Sequence, residues 1–212
     1  IIAYGAGFDN SAMTGRDFGF DALHHHELAH EWWGNLVTNA DWSDMWLHEG
    51  FGTYMQPLYL EATQGEEAYH AYMEHLRGGI SNRQAVAPRG TLSADQIYGG
   101  DIYNKGAWVL HSLRFLIGEE VFRTALRRMA YPDPALAERA EGCPACRFVT
   151  TDDFVHLVED LTGRDLGWFF EVYVRQPALP KLTTRRSGTA LQLAWDVPGD
   201  LPFPMPVEVQ VG

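Results

Sequence analysis

His26, Glu27, Leu28, Ala29 and His30 spell HELAH, two histidines four residues apart with a glutamate directly after the first. Residues four apart on a helix share one face, so both imidazoles can reach a single divalent cation at about 2.0–2.1 Å. Glu27 then projects toward a water on that cation, where a carboxylate serves as a general base. His24 and His25 precede the motif, but only His26 is followed by Glu with a second His four residues on. The other two point elsewhere around the helix and read as structural. A catalytic zinc keeps three protein ligands and one open position, so a third ligand must come from further along the chain. Glu49, in MWLHEGFGTY, is the candidate, separated from His30 by eighteen residues. That interval is enough for the chain to leave the first helix, turn through NLVTNADWSD and return alongside it. Two antiparallel helices then close a His, His, Glu site around one zinc ion.

The elements that must carry these groups are mostly helical. Apolar residues recur at three- and four-residue steps from about Asp21 to Val174. The first helix is expected to run through ALHHHELAHEWW and stop near Gly34 and Asn35, and the second to run from about Leu47 to Gly65, with Pro57 kinking it or capping a fresh start. Further helical patterns follow in GEEAYHAYMEHLRGG, NKGAWVLHSLRFLIG, EEVFRTALRRMA, TTDDFVHLVEDLTG and RDLGWFFEVYVRQ. After Pro177 and Pro180, TTRRSGTALQLAWDVPGD and MPVEVQVG alternate apolar with polar residues and read as two or three strands.

Composition narrows the partners. With 16 basic against 28 acidic residues the net charge is -12, which repels a nucleic-acid backbone or an anionic membrane surface. No run of about eighteen apolar residues appears, so no span of a bilayer is expected. The two cysteines, Cys143 and Cys146, lie in EGCPACRF. A zinc ribbon needs four such ligands, so the pair reads as a loop-stapling disulfide or inert thiols, with a slight lean toward an oxidising compartment.

The stretch HELAHEWWGNLVTNADWSDMWLHEGFGTYM resembles the signature of the aminopeptidase N family of gluzincin metallopeptidases, defined by HExxH, eighteen residues, then Glu. The likeness extends to WGNLVT after the second histidine and to W-L-x-E-G-F around the third ligand. The resemblance implies His26, His30 and Glu49 as zinc ligands and Glu27 as general base. His48 departs from the family, which usually has Asn there. DIYNKGAWVL is similar to the family's Y-E-K-G element, which implies Tyr103 as the donor that stabilises the tetrahedral oxyanion, with Asn104 in place of the commoner Glu. Tyr98, five residues earlier, is its nearest competitor and reads as structural.

The implied fold is mainly α: the helical half of a thermolysin-like zinc metallopeptidase catalytic domain over residues 1–178. Strands over 179–212 would begin a small β-sandwich domain. The implied reaction is removal of N-terminal residues from peptides by a metal-activated water. The family's G-x-M-E-N element, whose Glu binds the substrate amine, is not found. It is expected just before Ile1 in the rest of the parent chain, with Asp9 in GAGFDN as a lesser candidate for that role. A thermolysin-type endopeptidase and a non-catalytic zinc-binding module are the alternatives.

Overall fold

The side chain of Asp21 accepts the His24 backbone N–H at 2.9 Å, satisfying one of the unpaired donors that open any helix. In the computed structural model, which describes residues 2, 5, 7–138 and 146–210, helix α1 follows over Ala22–Ala29. It ends five residues before the boundary expected from sequence. Beyond it, the N–H groups of Asn35, Leu36 and Val37 donate to the carbonyls of His30, Glu31 and Trp32, each five residues back. This wider i→i+5 winding carries the chain away from the α-helical path. Gly34 adopts φ +152 within it, a conformation that L side chains rarely take.

The wide turn delivers strand β1 (Val37–Asn39), which pairs in parallel with β2 (Arg147–Val149). Strands of three residues carry too little periodicity to be read from sequence. A single 3-10 turn over Trp42–Asp44 then leads into the second helix. Asp44, buried, accepts from the Thr151 N–H at 3.0 Å and its hydroxyl at 2.7 Å, which pins this turn to the start of a distant helix.

Helix α2 spans Trp46–Gln64 and passes unbroken through Pro57, where a kink or a new start was expected. The proline removes one backbone hydrogen bond, but the helix is packed along most of its length and burial keeps it continuous. Around it lie α3 (Glu66–Arg77), α4 (Ala94–Ile97), α5 (Gly100–Ile117), α6 (Glu119–Ala130), α7 (Thr151–Thr162) and α8 (Gly167–Tyr173). The closest crossing joins α2 to α5. A Cβ on Gly50 would lie 2.9 Å from the Ile102 carbonyl oxygen, and one on Gly106 would lie 2.9 Å from Gly50 Cα. Two glycines thus let the helix bearing Glu49 touch the helix bearing Tyr103. The Tyr54 and Tyr69 hydroxyls, 2.8 Å apart, and the 2.6 Å link from Tyr69 to His111 Nδ1 tie α2, α3 and α5 together.

Lys105, next to Gly106 on α5, is 1% exposed and donates to the carbonyls of Gln176 and Pro177 at 3.0 and 2.8 Å. Burial depresses its ammonium to about 8, from 10.5, with Asp101 pulling weakly the other way. A depressed lysine loses its proton earlier in the folded state than in the unfolded one, so folding is favoured as pH rises from about 8 to about 10.5. Relative to Lys105→Met, the parent is expected to gain up to roughly 3 kcal/mol across that window. Denaturant melts at pH 7.5 and 10.5 check this, and parallel profiles for the two proteins contradict it.

The Lys105 anchor leads directly into a hairpin of β3 (Lys181–Ser187) and β4 (Ala190–Asp196), antiparallel and turned at Gly188, whose φ is +61. Phe203 beyond it packs on Trp168 and Tyr173 of α8 and on Trp195 of β4, at ring separations of 5.1 to 5.4 Å. Cys146 is disulfide-bonded, and Cys143 lies outside the described residues. No helix is long and apolar enough to cross a membrane among the described residues.

Candidate metal centre

His26 and His30 sit one turn apart at the end of α1, against the first turns of α2. Gly52 makes that contact possible, because a Cβ there would stand 3.2 Å from His26 Cε1 and 3.5 Å from His30 Cε1. Glu49, in the opening turn of α2, reaches the same point. Its Oε2 lies 3.2 Å from His26 Nε2 and 3.5 Å from His30 Nε2. The three donor atoms fall within 4.8 Å of one another, the one such group among the described residues.

The donor chemistry fits a cation. His30 Nδ1 is 2.9 Å from the Trp33 carbonyl, an acceptor only, so Nδ1 carries a proton and Nε2 is the nitrogen turned toward Glu49, where its lone pair would serve a cation held between them. Tetrahedral coordination at about 2.0–2.1 Å places ligand atoms about 3.3 Å apart, which the two observed separations bracket. Burial alone would raise Glu49, yet hydrogen bonds and charge from His26 and His30 hold it down to about 2, ionised near neutrality. Burial opposes protonation of His30 as well, but Glu49 and the Trp33 carbonyl outweigh it and raise the imidazole above its usual range.

Glu27 lies half-buried between the two histidines, close enough for its charge to act on both His30 and Tyr103. Tyr103 rises from α5 with its ring 5.9 Å from the His26 ring. Its phenol is pushed well up, by burial first and by Glu49 next. All five residues singled out from the sequence are therefore brought to one place. Beside Tyr103, a cavity of about 480 Å³ opens between α2, α3 and α5, lined by Thr53, Tyr72, His75 and Asn104 among others.

His48 accepts the Asn39 backbone N–H on Nε2 at 2.9 Å, with its ring 6.4 Å from that of His30. Burial and then His30 depress it to about 4, so it is neutral and fastens β1 to the start of α2. Asp9 is fully exposed, and its carboxylate is taken up by the Ser11 N–H and hydroxyl. Tyr98, set aside in the sequence, donates to Glu49 Oε1 at 3.4 Å. A phenol five residues ahead of another carries no periodic signal, so only the fold reveals the contact.

Residues 19–173 match the peptidase family M1 domain, and the chain belongs to that family. It is 29% identical over 193 residues to human endoplasmic reticulum aminopeptidase 2, covering 79% of this chain and 20% of that protein. It is 26% identical over 179 residues to the tricorn protease-interacting factor F2 of Thermoplasma acidophilum, covering 79% and 21%. Among solved structures, a mutant M1 zinc metallopeptidase of Deinococcus radiodurans bound to the substrate Tyr-Ser-Ala superposes with a TM-score of 0.61 at 29% identity. That match covers 77% of this chain and 34% of that one. The chain thus spans about a fifth of the length of the curated relatives it matches. The expected fold, the helical half of a metallopeptidase catalytic domain, holds.

Proposed function

We propose that this chain is the catalytic core of a zinc aminopeptidase, with His26, His30 and Glu49 as metal ligands. The reading rests on one observation above all, the convergence of two imidazole nitrogens and one carboxylate oxygen within 4.8 Å, where the end of α1 meets the start of α2. Aminopeptidase relatives and the peptide-bound metallopeptidase structure support it. When bound, zinc supplies Lewis acidity to the scissile carbonyl and to the attacking water.

The protein's own groups supply the rest. Glu27 takes the proton of the attacking water and passes it to the leaving amine nitrogen. Tyr103, kept protonated across the physiological range, donates to the oxyanion that develops on the former carbonyl oxygen. Trp33 fixes the tautomer of His30, so its lone pair is directed inward without reorganisation. The cavity that Tyr103 lines offers room for a substrate side chain beside that phenol. We also place the boundary between catalytic and β segments at residues 178 and 179, between the Lys105 anchor, which ends at Pro177, and the hairpin, which begins at Lys181.

Aminoacyl-anilides tested beside internally quenched peptides examine the reading, with zinc added. Cleavage of the anilide alone supports an aminopeptidase, whereas cleavage of the quenched peptide alone favours an endopeptidase. Zinc bound without turnover of either marks a non-catalytic module. In an active protein, Tyr103→Phe is expected to lower kcat by about 100- to 1,000-fold, the cost of one oxyanion donor, with zinc content unchanged. A kcat equal to the parent's removes Tyr103 from the reaction.

A further inference from the structure

Glu49 uses its two oxygens differently. Oε2 is shared with His26 and His30, while Oε1 accepts from the Tyr98 hydroxyl. The terminal torsion of a glutamate is broad, so a carboxylate held at one oxygen only can swing the other away from a metal. A donor on Oε1 restricts that rotation.

Tyr98 is itself braced for the task. Ser93 and Gln96 form a capping box that opens α4, and Tyr98 follows that helix in extended conformation at φ -64, ψ 117. Gln84 Nε2 donates to the carbonyl of Ile97 at 2.7 Å, just ahead of the tyrosine. Just after it, a Cβ on Gly99 would come 3.0 Å from the same nitrogen. The Tyr98 ring packs on Trp42 at 5.9 Å between centroids. It remains 46% exposed, so it is no core filler whose removal would cost the fold much.

We propose, on the reading that Glu49 is a zinc ligand, that Tyr98 is a positioning residue whose phenol holds Glu49 in the rotamer that presents Oε2 to the metal. Its role is distinct from that of Tyr103. Tyr103 answers to the charge that develops on the substrate, whereas Tyr98 acts through the ligand. The effect of losing it therefore falls on metal affinity before it falls on turnover.

Tyr98→Phe keeps the ring and its Trp42 contact and removes only the hydroxyl. Zinc affinity, measured by competition with a fluorescent chelator, is expected to fall about 10-fold, the lower end for a lost partner of a metal ligand. The melting temperature in EDTA should stay close to the parent's, and with cobalt(II) in place of zinc the visible bands should shift as the carboxylate relaxes. At saturating zinc, kcat should recover to within a few-fold of the parent, unlike that of Tyr103→Phe. Equal zinc affinity in parent and Tyr98→Phe overturns the positioning role and leaves the zinc site standing. A large kcat loss at saturating zinc with unchanged affinity also overturns it, by assigning Tyr98 to the reaction. A parent that binds no zinc removes the site and this role together, so the two failures are told apart.

Discussion

Glu27→Gln is expected to keep zinc and to lose hydrolysis, by about 10²- to 10⁴-fold, the usual contribution of a positioned general base. The amide matches the carboxylate in size, so α1 and the two imidazoles that flank it need not move. An amide has no lone pair basic enough to take a proton from water, and it cannot return one to the leaving amine. The loss therefore appears in kcat while zinc content stays at the parent level. Metal analysis of the purified variant and steady-state rates on an aminoacyl-anilide decide the matter. Hydrolysis retained at the parent's rate assigns the base to another residue, and zinc lost together with activity would mean that Glu27 supports the metal instead.

His26→Ala should act one step earlier, on the metal itself. His26 is 3% exposed and its Nε2 lies 3.2 Å from Glu49 Oε2. Alanine leaves two protein donors where a catalytic zinc keeps three, and it strips a buried carboxylate of its nearest partner. The fall in zinc affinity should exceed the roughly 10- to 100-fold attached to outer partners of a ligand. Stability reports the same event. A ligand that binds only the folded state stabilises it by about 4 kcal/mol when present at about a thousand times its dissociation constant. The parent's melting temperature should therefore rise with zinc, and the variant's should not respond at the same concentration. A variant that gains as much as the parent would show that the metal sits elsewhere.

The part of this site that could be read in the sequence is the part built from local geometry. A period of four on a helix aligns His26 with His30 whatever the rest of the chain does. The interval to Glu49 is long enough for a second helix to return, which is why the three candidate ligands could be named before any coordinates. Tyr103 required more, since nine tyrosines offer nine phenols and only likeness to a family element singled one out. The helical bulk of the chain was legible for the same reason as the metal motif, a repeating apolar face. Local boundaries shifted where packing overrode propensity: Pro57 starts no new helix within α2, and α1 gives way to i→i+5 winding at His30 rather than running on to Gly34.

The shared face of His26 and His30, with Glu27 beside them, was thus determined by the sequence alone, because bonds along one helix turn are short-range, whereas Glu49 met them through the return of α2. Contacts between distant segments were decided only by the tertiary structure. Gly50 and Gly106 let α2 and α5 approach so closely that a Cβ on either would come within 2.9 Å of the other helix, the Trp33 carbonyl orients His30, and Tyr98 reaches the far oxygen of Glu49 across 49 residues of chain. Each depends on where two surfaces meet, and no periodicity within either segment encodes that meeting.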